Sequence, residues 1–205
     1  MRRSREDTAE TRKKIVTAAS RLFRAHGIAA VSVADIMGSL GLTVGGFYRH
    51  FASKESLVAE AIEAASLETT GRHDAAARDA DVARRATVLL EGYLSNAHRA
   101  HPDHGCPVAA LGSEVGHEAR STKDAFTTAL RRLIARIDEY LPKRADERRK
   151  RVLQAAASMV GAVVLARATS DDALASELFE AVREDLLGDG RRSRKRDRRS
   201  GPRTR

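Results

Sequence analysis

The sequence predicts an all-α protein, and three observations carry that expectation. Aromatic residues make up only 4% of the chain, and much of its 42% apolar fraction is alanine, a composition that suits packed helices better than sheets. Apolar residues return at the three- and four-residue spacing of helices in one segment after another, and no segment reads convincingly as a strand. Serine, threonine and aspartate stand where helices would start, and glycine or proline where they would stop. The expected architecture is about nine helices. A three-helix head covers residues 1–60, a larger helical body covers 61–190, and a basic tail over 191–205 is too charged to fold and is expected to be disordered.

The first helix is expected over Thr8 to His26, because Ile15, Ala18, Ala19, Leu22 and Phe23 fall at i, i+3, i+4, i+7 and i+8 and make one buried stripe. Gly27 stops it, and Arg2, Arg3 and Arg5 form a mobile basic arm before it. Ser32 opens the second helix with a capping box to Asp35, Ile36 and Leu40 point inward, and Gly41 allows a sharp turn. Thr43 caps a third helix of little more than two turns. Ser53 caps the fourth, with Glu55 in its first turn, and this helix loosens near Gly71.

In the body, one helix is expected over Asp81 to Ala100, with Leu89, Leu90, Tyr93 and Leu94 apolar, before a turn-rich break from His101 to Pro107. A short helix follows over Val108 to Gly116. A longer one over Ser121 to Leu141 carries Phe126, Leu130, Leu133, Ile134 and Ile137 and is ended by Pro142. The last two are expected over Ala145 to Ala168 and Asp171 to Leu187, the latter with Ser170 as cap and Gly188 as stop.

The net charge of +9 is unevenly placed. The tail holds nine basic residues against one acid, so residues 1–60 carry +4 and residues 61–190 carry −3. The chain is thus a mildly basic head on a mildly acidic body, and the high pI comes from the tail. A single cysteine, Cys106, rules out an internal disulfide and fits a reducing cytoplasm. No run of about 18 apolar residues and no secretory leader is seen, so no membrane partner is expected. No catalytic or phosphate-binding motif stands in the chain, so an enzyme is not expected, and neither a metal nor another cofactor.

Function is expected in the stretch from Ser32 to Leu57, SVADIMGSLGLTVGGFYRHFASKESL, which holds three of the eight aromatic residues, with Phe23 just before it. A reader of the DNA major groove needs a helix with a small or polar exposed face and flanks that grip phosphates. Thr43, Val44, Gly45 and Gly46 make a nearly bare face, Tyr48, Arg49, His50 and Lys54 supply flanking donors, and Phe47 and Phe51 anchor the buried side. Two glycines in so short a helix cost roughly 1 kcal/mol each in propensity, which points to a close approach by something outside the chain.

On this order of residues, G-F-Y-R-H-F-A-S-K-E-S-L preceded by S-V-A-D-I and G-L-T, residues 8 to 60 resemble the DNA-binding domain of the TetR/AcrR family of bacterial transcriptional regulators. The resemblance implies a helix-turn-helix on the second and third helices that reads double-stranded operator DNA as a homodimer, most often as a repressor released by a small-molecule effector. It carries phosphate contacts onto Tyr48, His50 and Lys54, with Ser32 and Thr43 as further candidates, and base-edge contacts onto Val44, Gly45, Gly46 and Arg49. Beyond residue 60 it implies an effector pocket, for which Tyr93, Cys106, Phe126 and Met159 are candidates, and dimerisation through the last two helices. The stripes Ala155, Met159, Ala162 and Ala166, and Leu174, Leu178 and Val182, suit that interface, with intramolecular core as the alternative.

Three other signals have competing readings. His98, His101, His104 and Cys106 crowd one stretch but match no compact zinc spacing. Cys106 lies in a G-C-P segment similar to one in a branch of the family whose members sense oxidants or electrophiles, and packing as a small hydrophobe is its simpler role. The basic tail is expected to add sequence-independent phosphate contact, with a solubilising terminus of no defined role as the alternative, and in the extreme it would make the chain a nonspecific, nucleoid-type DNA binder.

Overall fold

The structure, a computed structural model, describes residues 5–141 and 147–197. Among them it holds ten α-helices, one 3₁₀ turn and no strand. The head comprises α1 (Arg5–His26), α2 (Val33–Ser39), the single-turn α3 (Val44–Phe47) and the start of α4 (Lys54–Ala77). The body continues with α5 (Val82–Tyr93), α6 (Asn96–Ala100), a 3₁₀ turn (Pro102–His104), α7 (Pro107–Val115), α8 (Arg120–Tyr140), α9 (Arg148–Ala168) and α10 (Asp172–Asp197).

Local chemistry sets most of the boundaries. The predicted stripe of α1 is realised, with Ile15, Ala19 and Phe23 buried, and Gly27 ends the helix at φ 90°, a conformation that only glycine adopts cheaply. Arg5 stands inside α1 rather than in an arm, while Arg2 and Arg3 lie outside the described residues. The Ser32 capping box forms in full, its hydroxyl accepting from the Asp35 amide and Asp35 accepting from the Ser32 amide. Gly41 turns the chain at φ 67°.

Six expectations give way to the packing. Helix α4 does not loosen at Gly71 but runs to Ala77, because α8 holds its whole length. Ser121 donates to Glu55, Arg132 pairs with Glu63 and donates to Ser66, and Arg136 and Tyr140 both bond to Asp74. The single helix expected over 81–100 is two, since Leu94 leaves helical geometry at ψ 68° and Ser95 caps a new start. Asp171, not Ser170, caps α10 through the amides of Ala173 and Leu174. Gly188 does not stop α10, whose backbone continues through Asp197. The two glycines near its end, Gly188 and Gly190, cost about 1 kcal/mol each, and the Arg and Lys residues that follow are good helix formers, so the backbone of the first seven tail residues continues the helix. Residues 198–205 and Pro142 lie outside the described residues.

The fifth difference concerns α9. By length and composition it is long and apolar enough to cross a bilayer, against the expectation of no such run. Here it is a core helix, packed on α7, α8 and α10. The sixth concerns its small-residue stripe. Ala155, Met159, Ala162 and Ala166 are all buried within the chain, so they pack its own core and do not face a second copy. The outward face of α9 is a different stripe, on which Leu153 and Val164 are exposed and Gly161 has open space where a side chain would project.

Candidate nucleic-acid interface

The site is built on two stacked aromatics. Phe47, the last residue of α3, and Phe51, just after it, are buried and stack with ring centroids 5.4 Å apart. They join Ile36 and Met37 from α2 and Leu57 from α4 in the head core. That anchoring leaves the opposite side of α3 outward. Val44 is 44% exposed and Tyr48 66% exposed, and Arg49 is exposed beside them. The Tyr48 ring stands edge-on to Phe47 with centroids 5.2 Å apart, a contact that holds it while most of the residue stays exposed.

The two glycines behave differently from structural glycines. A Cβ on Gly45 would meet nothing within 4 Å, and one on Gly46 would make only ordinary contacts at 3.7 Å with Met37 and Thr43. Neither has a positive φ. The fold therefore tolerates alanine at both positions, and nothing inside the chain explains a bare surface at the tip of α3.

The remaining predicted contacts divide by how they are engaged. Thr43 stands at the N-cap of α3 but makes no side-chain cap bond; its carbonyl takes the Gly46 amide instead, and α3 is one turn, shorter than expected. Ser32 is exposed, and its hydroxyl donates to Asp35 at 2.6 Å. That hydroxyl, followed by the Ser32 amide, holds the Asp35 carboxyl below its ordinary range. His50 is half-buried. The Lys54 ammonium donates to the Ile28 carbonyl at 2.6 Å and lies 5.9 Å from the centre of the Phe23 ring, so it ties the start of α4 to the loop after α1.

Arg12 was not legible as part of this site. Its guanidinium lies 4.6 Å from the centre of the Phe51 ring, donates to the His50 carbonyl and pairs with Glu60 at 2.5 Å. Those partners stand 38 and 48 residues away, and no local pattern joins them. Arg12 holds the turn after α3 against α1 and α4.

In the body, the four effector-pocket candidates differ in burial. Tyr93, Cys106 and Met159 are buried, while Phe126 is half-buried and sits 3.6 Å from where a Gly112 Cβ would lie. Tyr93 has a buried hydroxyl without a hydrogen-bond partner, and its surroundings hold it neutral: burial first, then Cys106, raise its pKa well above the ordinary tyrosine range. His98 donates from Nδ1 to the Tyr93 carbonyl and accepts the Cys106 amide at Nε2, and burial lowers its pKa to about 4. Both ring nitrogens are thus engaged by the fold, and no cluster among the described residues has the make-up of a metal site. Cys106 is 3% exposed and packs as a small apolar residue. A cleft of about 590 Å³ opens elsewhere, between Asn96, Arg99, Pro102, Arg167 and Asp172.

Comparison with known proteins bears on the head and on the fold. The family model described as "Bacterial regulatory proteins, tetR family" matches residues 15–61. The chain is 38% identical over 81 residues to the HTH-type transcriptional regulator TtgR of Pseudomonas putida, covering 40% of this chain and 38% of that protein. It is 36% identical over 59 residues to the HTH-type transcriptional regulator AcrR of Shigella flexneri, covering 29% of this chain and 27% of that one. The alignments thus span well under half the length of the curated relatives they match. Over the whole chain the likeness is one of fold. A TetR-family regulator from Cytophaga hutchinsonii superposes with a TM-score of 0.75 at 22% identity, over 92% of this chain and 98% of that one. The reduced form of E. coli NemR superposes with a TM-score of 0.71 at 17% identity, over 86% and 95%.

Proposed function

The chain carries the N-terminal domain of the tetR family of bacterial regulatory proteins, and on that premise we propose that it is a transcriptional repressor that binds operator DNA as a homodimer and is released by a small molecule. The observation that carries this reading is the tip of α3. A bare surface of the exposed Val44 and Gly45 and the half-buried Gly46 projects from a rigid aromatic anchor, with Tyr48 and Arg49 exposed beside it. Such a tip lets backbone come close to base edges while flanking donors hold phosphates.

In this reading Tyr48, His50 and Lys54 grip phosphates, with Ser32 and Thr43 as lesser contacts. Val44 meets a thymine methyl, Gly45 and Gly46 permit the approach, and Arg49 supplies the one side chain able to make a bidentate contact to guanine. With so few reading side chains, groove shape carries a share of the specificity. The second copy docks on the outward face of α9 and α10, where Leu153, Val164, Leu165 and Leu174 are exposed and Leu178 and Val182 are half-buried. The effector enters the body near Tyr93, whose unpartnered hydroxyl offers one polar contact.

The test is selection from a random duplex library by the purified full-length chain. Enrichment of a two-fold symmetric sequence, with half-sites centred about 34 Å apart or a multiple of it, is expected. No enrichment over the input library would overturn the proposal.

A further inference from the structure

The head and body touch at a point that neither the helix-turn-helix nor α4 accounts for. Glu114 lies in the last turn of α7, and its carboxylate reaches the loop between α1 and α2. There Oε2 accepts the backbone amides of Ile28 at 2.7 Å and Ala29 at 3.2 Å. The approach is close enough to shape the sequence beneath it. A Cβ at Gly27 would fall 2.6 Å from Glu114 Oε1, so the φ of 90° requires glycine here and any side chain added would have to displace the carboxylate.

Position makes this contact informative. A carboxylate in the last turn of a helix opposes the helix dipole, and Glu114 stands near the C-terminal ends of both α7 and α1. Charge-assisted bonds to two amides, about twice as strong as neutral ones, offset that. The loop so held runs only four residues, from Ile28 to Val31, before the Ser32 cap of α2. The opposite end of α7 is also tied to α1. The buried Arg24 guanidinium donates to the Gly105 carbonyl at 2.8 Å and pairs with Glu68 of α4 at 2.8 Å. Gly105 itself is wedged against Arg167 and His98, where a Cβ would come within 2.8 Å of either side chain.

We propose that Glu114 is a positioning residue that latches α7 to the α1–α2 loop and sets the angle at which the helix-turn-helix is presented. Helix α7 then forms a strap with one end against the buried Tyr93 and the half-buried His98 and Arg167, and the other on the loop that leads into α2. A displacement of that cluster tilts the head through Glu114 as well as through α4. The consequence for DNA rests on the proposed DNA-binding function; the latch itself does not.

The experiment reads the latch without DNA and then with it. Spin labels at Ala34→Cys on α2 and Lys123→Cys on α8, in a Cys106→Ala background diluted with unlabelled chain, report the head-to-body distance. A narrow distribution is expected with Glu114 in place. Glu114→Ala should at least double its width, and Glu114→Gln, which keeps a neutral acceptor, should fall between. Affinity for the duplex selected by the unaltered chain should drop about tenfold in Glu114→Ala with unchanged helical content. A lowered melting temperature with an unchanged distribution in both variants would mean a merely stabilising contact and would overturn the proposal. Broadening in a chain that enriches no duplex would instead uphold the latch and refute the DNA-binding function.

Discussion

Gly45 is the residue at which stability and function separate most cleanly. Its Cβ position is open, its backbone is not in the left-handed region, and alanine is the better helix former by about 1 kcal/mol in a helix interior. Gly45→Ala is therefore expected to raise folding stability by roughly 0.5 kcal/mol, since α3 is a single turn at which the full propensity is not realised. The same methyl would stand on the surface proposed to meet the bases, so affinity for the selected duplex should fall about tenfold or more. Thermal unfolding and duplex titration on one preparation check both signs, and a variant that is more stable and binds equally well would show that the bare tip does not touch DNA. The anchor residues Phe47 and Phe51 and the two caps at Ser32 and Ser53 were legible from spacing and from the chemistry of helix starts. Arg12, Arg24 and Glu114 were not, because each acts on a backbone carbonyl, an amide or a ring far away in sequence, and no periodicity records such a contact.

At the scale of the helices, the readable quantity was amphipathic spacing, and it misled where two faces of one helix are both apolar. On α9 the predicted stripe of Ala155, Met159, Ala162 and Ala166 turned out to be core, while the outward stripe of Leu153, Gly161 and Val164 is the one available to a second copy. A spacing pattern places residues on a common face without saying what that face meets. The break at Leu94 and the run of α4 past Gly71 were missed for a related reason. Propensity marks where a helix can end, and the contacts along α8 decide whether it does. If the outward face of α9 forms the proposed dimer, a glutamate at its small position should prevent it. A Cβ at Gly161 has nothing within 4 Å, so Gly161→Glu should leave the fold intact while shifting the chain from dimer to monomer in sedimentation. A dimer unaffected by that change would place the interface elsewhere.

Across the whole molecule, charge and shape assign different tasks to different parts. The tail carries a net +8 and the head only +4, so nonspecific attraction to DNA is strongest away from the helix-turn-helix. The head must work by geometry, through α3 held on an aromatic anchor and, as proposed, at an angle set by α4 and by the Glu114 latch. These parts should separate in their salt response, since affinity depends on salt more steeply the more phosphates the protein neutralises. The most direct measurement compares binding of the selected duplex and of a random duplex by three chains: full-length, one lacking residues 191–205, and Tyr48→Ala. Deleting the tail should weaken both duplexes together and flatten the salt dependence while preserving the preference between them. Tyr48→Ala should weaken the selected duplex by about tenfold and reduce that preference with the tail still present. If removal of the tail abolished all binding and Tyr48→Ala changed nothing, the helix-turn-helix would not be the DNA-reading element of this protein.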